Sequence, residues 1–219
     1  MRGPNPIDDV PAIKVPLPKV VIIEPDDVAA VVESFAGYWR PLCATAVYTG
    51  ARKGELIGIR RESVNLRLWT LSIESSYTGP TKSARSRVVP IPPELRPYIE
   101  QALATSKTLG SEFLFPTQKG KMATRNLDLA GMMKRALVRA GIIDHWGLRC
   151  RRRGCGYVET RREATDDVRC PKCRMRLWPK PMPPQAISFK TLRAIFGTVA
   201  CEVAGGTDFA KVVLGHASQ

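Results

Sequence analysis

Four cysteines within 24 residues constrain this chain more than any other feature: Cys150-x4-Cys155-x14-Cys170-x2-Cys173. Two close pairs separated by a short span are zinc-ribbon spacing. Each pair sits on a tight turn, and the two turns together present four thiolates to one ion. Gly154 and Gly156 flank Cys155 and Pro171 follows Cys170, residue types that such turns use. A redox pair needs only one Cys-x2-Cys, and inert buried cysteines have no reason to pair by spacing. Four protein ligands leave no open coordination position, so an ion held here is structural. Zinc is the expected ion; thiolates at this spacing also suit iron. His145, just outside the quartet, reads as a nearby or surface residue and not as a fifth ligand. Around the cysteines the helical period disappears, and across 144–180 eleven Lys and Arg face five Asp and Glu. The quartet is therefore expected to form a small zinc ribbon within this stretch.

The rest of the chain is mostly helical. Residues 1–24 carry Pro4, Pro6, Pro11, Pro16 and Pro18 without any helical period and read as an extended linker or arm. Pro25-Asp26-Asp27 opens a helix that Gly37 ends. A second helix runs from about Tyr38 to Tyr48, and Gly50 breaks the chain before a third. Leu68–Ser75 and Arg87–Ile91 have strand composition and flank the turn-rich YTGPTKSARS, which predicts a hairpin with a basic tip. Pro92-Pro93-Glu94 starts a helix through Ala104. Leu127–Ala140 is an amphipathic helix closed by Gly141. Helical period returns over Ser188–Ala204 and again over Asp208–Leu214. Cys43 and Cys201 fall in apolar helical contexts and read as buried and inert. The expected class is α+β, mainly α: one domain over 25–219 with a small β-hairpin or sheet and the inserted ribbon.

Charge narrows the partner. Thirty-four Lys and Arg against twenty Asp and Glu leave +14, a balance that favours a polyanion, most often nucleic acid. No apolar run approaches the roughly 20 residues of a membrane helix, and no long basic amphipathic helix points to a membrane surface. The N-terminus lacks the apolar centre of a signal peptide. A cytoplasmic protein is expected, and that reducing compartment argues against disulfides for the quartet.

Four further stretches suit an anion site. In TGARKGEL, Arg52 follows Gly50 and opens a helix, where a guanidinium and backbone N–H groups can face one anion. Taken alone, this arginine could equally cap a surface turn. PTKSARSRVVPIP places Lys82 at the hairpin tip. ISFKTLRAIFGT puts Lys190 and Arg193 one turn apart on one helix face. VVLGHAS ends on His216.

These four motifs, in this order, resemble the catalytic domain of the tyrosine recombinase (phage integrase) family, from about residue 25 onward. In some of that family a cysteine-rich insert also precedes the KxxR helix, which implies that residues 146–179 are a zinc-ribbon insertion in the fold. The resemblance implies site-specific DNA recombination or integration, by strand cleavage and rejoining through a 3′-phosphotyrosyl intermediate on double-stranded DNA. It also implies self-association of the full-length protein on DNA. By resemblance, Arg52 and Arg193 hold the non-bridging oxygens of the scissile phosphate and Lys82 protonates the leaving 5′-oxygen. Lys190 stands where histidine is common and assists proton transfer or binds phosphate, and His216 donates a hydrogen bond to the phosphate. Apart from the structural zinc, no cofactor is implied.

Two departures accompany the resemblance. The family's histidine after the second arginine is Ala194 here, expected to be a difference in packing. The family's nucleophilic tyrosine lies about nine residues beyond the LGH histidine, and none of Tyr38, Tyr48, Tyr77, Tyr98 or Tyr157 matches it. The chain is therefore expected to be a C-terminally truncated piece of an integrase, inactive as it stands. The alternative is a catalytically inactive DNA-binding module derived from one. A ribosomal or transcriptional zinc-ribbon protein accounts for the charge and cysteines but leaves the four ordered motifs as coincidence.

Overall fold

The computed structural model describes residues 25–80, 86–165, 167–184 and 187–203. Its core is organised around α2 (Arg40–Thr49), a helix buried nearly all round through Leu42, Cys43, Ala44, Thr45, Ala46 and Thr49. Pro41 in the first turn is pre-set for helix and sacrifices no hydrogen bond there. Thr45 and Thr49 would be costly in such a place, but each hydroxyl donates to the carbonyl one turn back, Pro41 and Thr45 respectively. Gly50 closes the helix at φ +59°, its N–H on the Ala46 carbonyl. Burial pushes the Cys43 thiol up to about 12, which makes it inert.

Against α2 pack α1 (Pro25–Ser34), α4 (Arg96–Thr108) and α6 (Phe189–Val203). α1 buries Val28, Val31 and Val32, and Phe35 continues that face just past its end, an i, i+3, i+4, i+7 stripe. α5 (Leu129–Arg139) packs on α1. Asp128 caps α5 by accepting from the Gly131 amide. Gly141 at φ +79° ends it, with Ile142 N–H on Leu137 and Gly141 N–H on Val138, the paired bonds of a Schellman turn. The helix after Pro92 begins as a 3-10 turn, Pro93–Leu95, and α4 then runs on to Thr108, a turn longer than the sequence suggests.

The short helix α3 (Lys53–Gly58) is followed by a 3-10 turn, Arg61–Ser63, and a three-stranded antiparallel sheet. The sheet's order is β1 (Val64–Asn65), β2 (Thr70–Ile73), β5 (Arg87–Pro90). The β2 strand starts later than Leu68 because Asn65 Oδ1 accepts from the Arg67 and Leu68 amides and Trp69 takes φ +50°. Register sets Leu71 opposite Val89 and Ile73 opposite Arg87. Arg87, Val89 and Ile91 therefore all point inward, while Val88 stands exposed. Between β2 and β5 a second small hairpin forms from β3 (Ser75–Ser76) and β4 (Gly79–Pro80).

β3 lies tightly against α3. A Cβ on Gly58 would come within 2.8 Å of the Ser76 carbonyl carbon, and one on Gly54 within 3.2 Å of the Tyr77 ring. Gly58→Ala is expected to force helix and hairpin apart and cost about 1–3 kcal/mol, the usual range for overpacking. Equilibrium denaturation checks this, and an unchanged midpoint would show the packing to be loose.

The ribbon is a sheet of order β7-β6-β8, from β6 (His145–Arg149), β7 (Val158–Arg161) and β8 (Trp178–Met182). Its own small core holds Leu148, Cys150, Val168, Cys170 and Leu177. His145 pairs with Met182, so the paired strands reach slightly beyond 146–179 on both sides. Among the described residues no helix is long and apolar enough to cross a membrane. The arm over 1–24, the Asp208–Leu214 segment, Lys82 and His216 lie outside the described residues, as does the Cys201 side chain.

Candidate functional site

Arg52 is the N-cap of α3, in extended conformation. Three residues on, Glu55 reaches back: its Oε2 accepts the Arg52 amide at 2.9 Å and its Oε1 the Arg52 Nη1 at 2.8 Å. The expectation that backbone N–H groups here would face an anion is corrected for this amide, because the carboxylate already occupies it. Any anion binding at this point rests on the guanidinium of a side chain that is about one-third exposed.

Glu55 is 2% exposed and takes a second arginine, with Arg87 Nη2 2.7 Å from its Oε2. Burial alone would raise the Glu55 carboxyl. Hydrogen bonds from the Arg87 side chain, the Arg52 amide and the Arg52 side chain outweigh it and leave the group below its ordinary value. The four motifs single out neither Glu55 nor Arg87. Both carry a signal in the sequence: Glu55 stands three residues after the N-cap, the capping-box spacing, and Arg87 alternates in phase with Val89 and Ile91.

α6 brings the second arginine of the site. Arg193 donates from Nη1 to the carbonyl of Gly50, two residues before Arg52. Burial, then the nearby charges of Arg52 and Arg87, lower Arg193 to about 10, with Glu55 opposing them. Among the described residues, three guanidiniums thus share one neighbourhood with one buried carboxylate, Glu55, and their positive charge would stabilise an anion entering it. Lys190, on the same helix, is exposed. Ala194 is exposed as well. Tyr77 lies half-buried beside Gly54 in the first turn of α3.

The cysteines form a second centre. Sulfurs of Cys150 and Cys173 lie 3.4 Å apart and those of Cys155 and Cys170 3.6 Å apart, and all four fall within 4.8 Å of one another. Four thiolates around zinc at about 2.3 Å would sit about 3.8 Å apart along a tetrahedron's edges, so the donor set fits. Each pair rides on a turn. Cys155 N–H bonds the Arg152 carbonyl, with Gly154 and Gly156 at positive φ, and Arg174 N–H bonds the Cys170 carbonyl. The Met175 backbone amide, then the neighbouring thiols, draw Cys173 down to about 7. At Cys150 a backbone hydrogen bond from Arg152 lowers the pKa, but burial and the neighbouring thiols push it up to about 12. A bound divalent ion would hold all four as thiolates. His145 turns its Nδ1 to Asp144 at 2.9 Å.

No curated protein sequence is significantly similar to the chain. Among solved structures, the XerA recombinase superposes with a TM-score of 0.62 at 17% identity, over 90% of this chain and 57% of its own length. The Tn1549 transposon integrase in complex with a circular intermediate DNA gives 0.63 at 14%, over 94% and 61%. A lambda integrase dimer bound to a COC′ core site gives 0.55 at 15%, over 90% and 58%. The chain thus spans about three-fifths of the length of these structures and shares their tyrosine-recombinase fold. Residues 26–157, more than half of the chain, match the family described as the phage integrase family. That match covers Arg52, Glu55 and Arg87, and the chain belongs to the phage integrase family.

Proposed function

We propose that these residues are the greater part of the catalytic domain of a site-specific DNA recombinase, acting in the cytoplasm on double-stranded DNA. A tyrosine oxygen attacks the scissile phosphorus, the 5′-oxygen leaves with a proton, and a 3′-phosphotyrosyl ester forms. Reversal by another 5′-hydroxyl rejoins the strands. Arg52 and Arg193 hold the non-bridging oxygens and offset charge built up in the transition state. Lys82 protonates the 5′-oxygen, Lys190 assists that transfer or binds phosphate, and His216 donates to the phosphate. The cysteine quartet holds a structural zinc outside the reaction.

The observation that supports this reading most is Arg193 bonded to the Gly50 carbonyl, near enough to Arg52 to feel its charge. The nucleophile comes from outside these residues. Tyr38, Tyr98 and Tyr157 donate their hydroxyls to the Pro116 carbonyl, Glu33 and Glu159. Tyr48 packs on the core.

A suicide DNA substrate tests the reading. The chain extended by a segment bearing the family's tyrosine is expected to form a covalent adduct on its cognate site, and the 219-residue chain none. Arg193→Ala in the extended chain should slow adduct formation roughly 100-fold or more, the scale for removing one oxyanion donor. An adduct from the chain alone would place the nucleophile within it, and Tyr77→Phe would be the first variant to make. DNA binding without any adduct from the extended chain would instead establish an inactive DNA-binding module.

A further inference from the structure

The ribbon has an open sheet face that its metal centre does not use. Strand register places Val158, Arg149 and Trp178 in one cross-strand row and Thr160, Gly147 and Lys180 in the next. Residues in such rows share a face. Burial follows the pleat: Arg149, Val158, Thr160, Trp178 and Lys180 are exposed, while the alternate residues Leu148, Glu159, Pro179 and Arg161 are not. The inner face carries the ribbon's core, and its carboxylate, Glu159, is tied to Tyr157 and Arg161.

The outer face holds no acidic side chain in these rows. Trp178 is 52% exposed, and the Arg176 guanidinium lies 4.5 Å from its ring centroid. The acid that pairs with Arg176 is Asp167, at 4.0 Å and itself exposed. Arg149 and Lys180 sit on a diagonal, about 7–8 Å apart, so their long side chains can reach separate phosphates. Around this solvent-facing tryptophan stand three cations, with no acid in the strand rows. The face has the make-up of a nucleic-acid surface.

We propose that this face is a second DNA contact, gripping the phosphate backbone of the duplex without reading its sequence. The contact rests on the reading of the chain as a DNA-acting one and adds a surface apart from the arginine site. Arg149, Arg176 and Lys180 neutralise phosphates, and Trp178 holds Arg176 in place by cation–π stacking.

The test uses the 219-residue chain, a labelled duplex of arbitrary sequence and a salt series. Hydrogen exchange across β6, β7 and β8 verifies that each variant keeps the ribbon folded. Arg149→Glu with Lys180→Glu should weaken binding roughly tenfold or more and reduce the log–log salt slope by about two, one for each phosphate no longer neutralised. Trp178→Ala should weaken binding less, and by a similar factor on unrelated duplexes. Arg52→Ala with Arg193→Ala, measured alongside, separates the two surfaces. Loss with the arginine-site variant but none with the folded ribbon variant overturns the ribbon contact and leaves the recombinase reading standing. Loss with the ribbon variant alone upholds the contact and counts against the arginine site. Wild-type chain that fails to bind duplex at low salt overturns both.

Discussion

Replacing Glu55 by alanine is expected to destabilise the domain by about 3–5 kcal/mol, the range for removing one partner of a buried ion pair. Arg87, itself 8% exposed, would lose its acceptor, and its Nε and Nη1 have none among the described residues. For a chain of this size the loss lowers the melting temperature on the order of 10 °C. The same carboxylate makes stability depend on pH. Its folded pKa lies below the ordinary 4.5. The stabilisation is therefore fully present above the unfolded value and is lost as pH falls through the folded one. Glu55→Ala should flatten the acid limb of the stability curve, and unchanged thermal and acid unfolding would refute the pairing. Glu55→Leu with Arg87→Met separates stability from positioning. Apolar replacement of both partners should restore much of the stability, yet Arg52 would stay unanchored and DNA binding would remain weak. Full recovery of binding in that double variant would mean that Glu55 does not position Arg52.

If the quartet holds a structural metal as proposed, removing it is expected to have the largest effect of any single treatment, confined to one part of the chain. Apparent binding free energies of structural zinc sites are about 10–16 kcal/mol, and that energy is folding energy for the ribbon. The ribbon's apolar core consists of Leu148, Val168 and Leu177 beside its buried cysteines, too little to fold without a crosslink. Cys170→Ser, or chelation, should abolish amide protection across β6, β7 and β8 while α2, α4 and α5 keep theirs. Those helices belong to a separate core that contains no ribbon residue. Acidification should release the ion as the thiolates protonate. Freshly reduced protein without one bound metal per chain, or protection retained after Cys170→Ser, would show that the quartet is not a metal centre.

Local spacing by itself determines a good deal about this protein. The quartet's two turns, the caps Gly50 and Gly141, the stripe from Val28 to Phe35 and the alternation of Leu71 with Ile73 are all short-range patterns. Helix period, strand period and turn chemistry act within a few residues, so they can be read from the order of residues. The four motifs likewise stand in their order without reference to space. Only the tertiary structure decided what each cation faces. Glu55 reads as an ordinary capping-box residue until the β2–β5 register delivers Arg87 to its other oxygen, 32 positions away. Arg193 reads as one turn of an amphipathic helix until α6 packs on α2 and sets its guanidinium on the Gly50 carbonyl, 143 positions away. The open face of the ribbon exists only because strand pairing aligns Val158, Arg149 and Trp178 in one row. Charge interactions of this kind depend on distance in space and on the water excluded between the groups, and sequence separation carries neither.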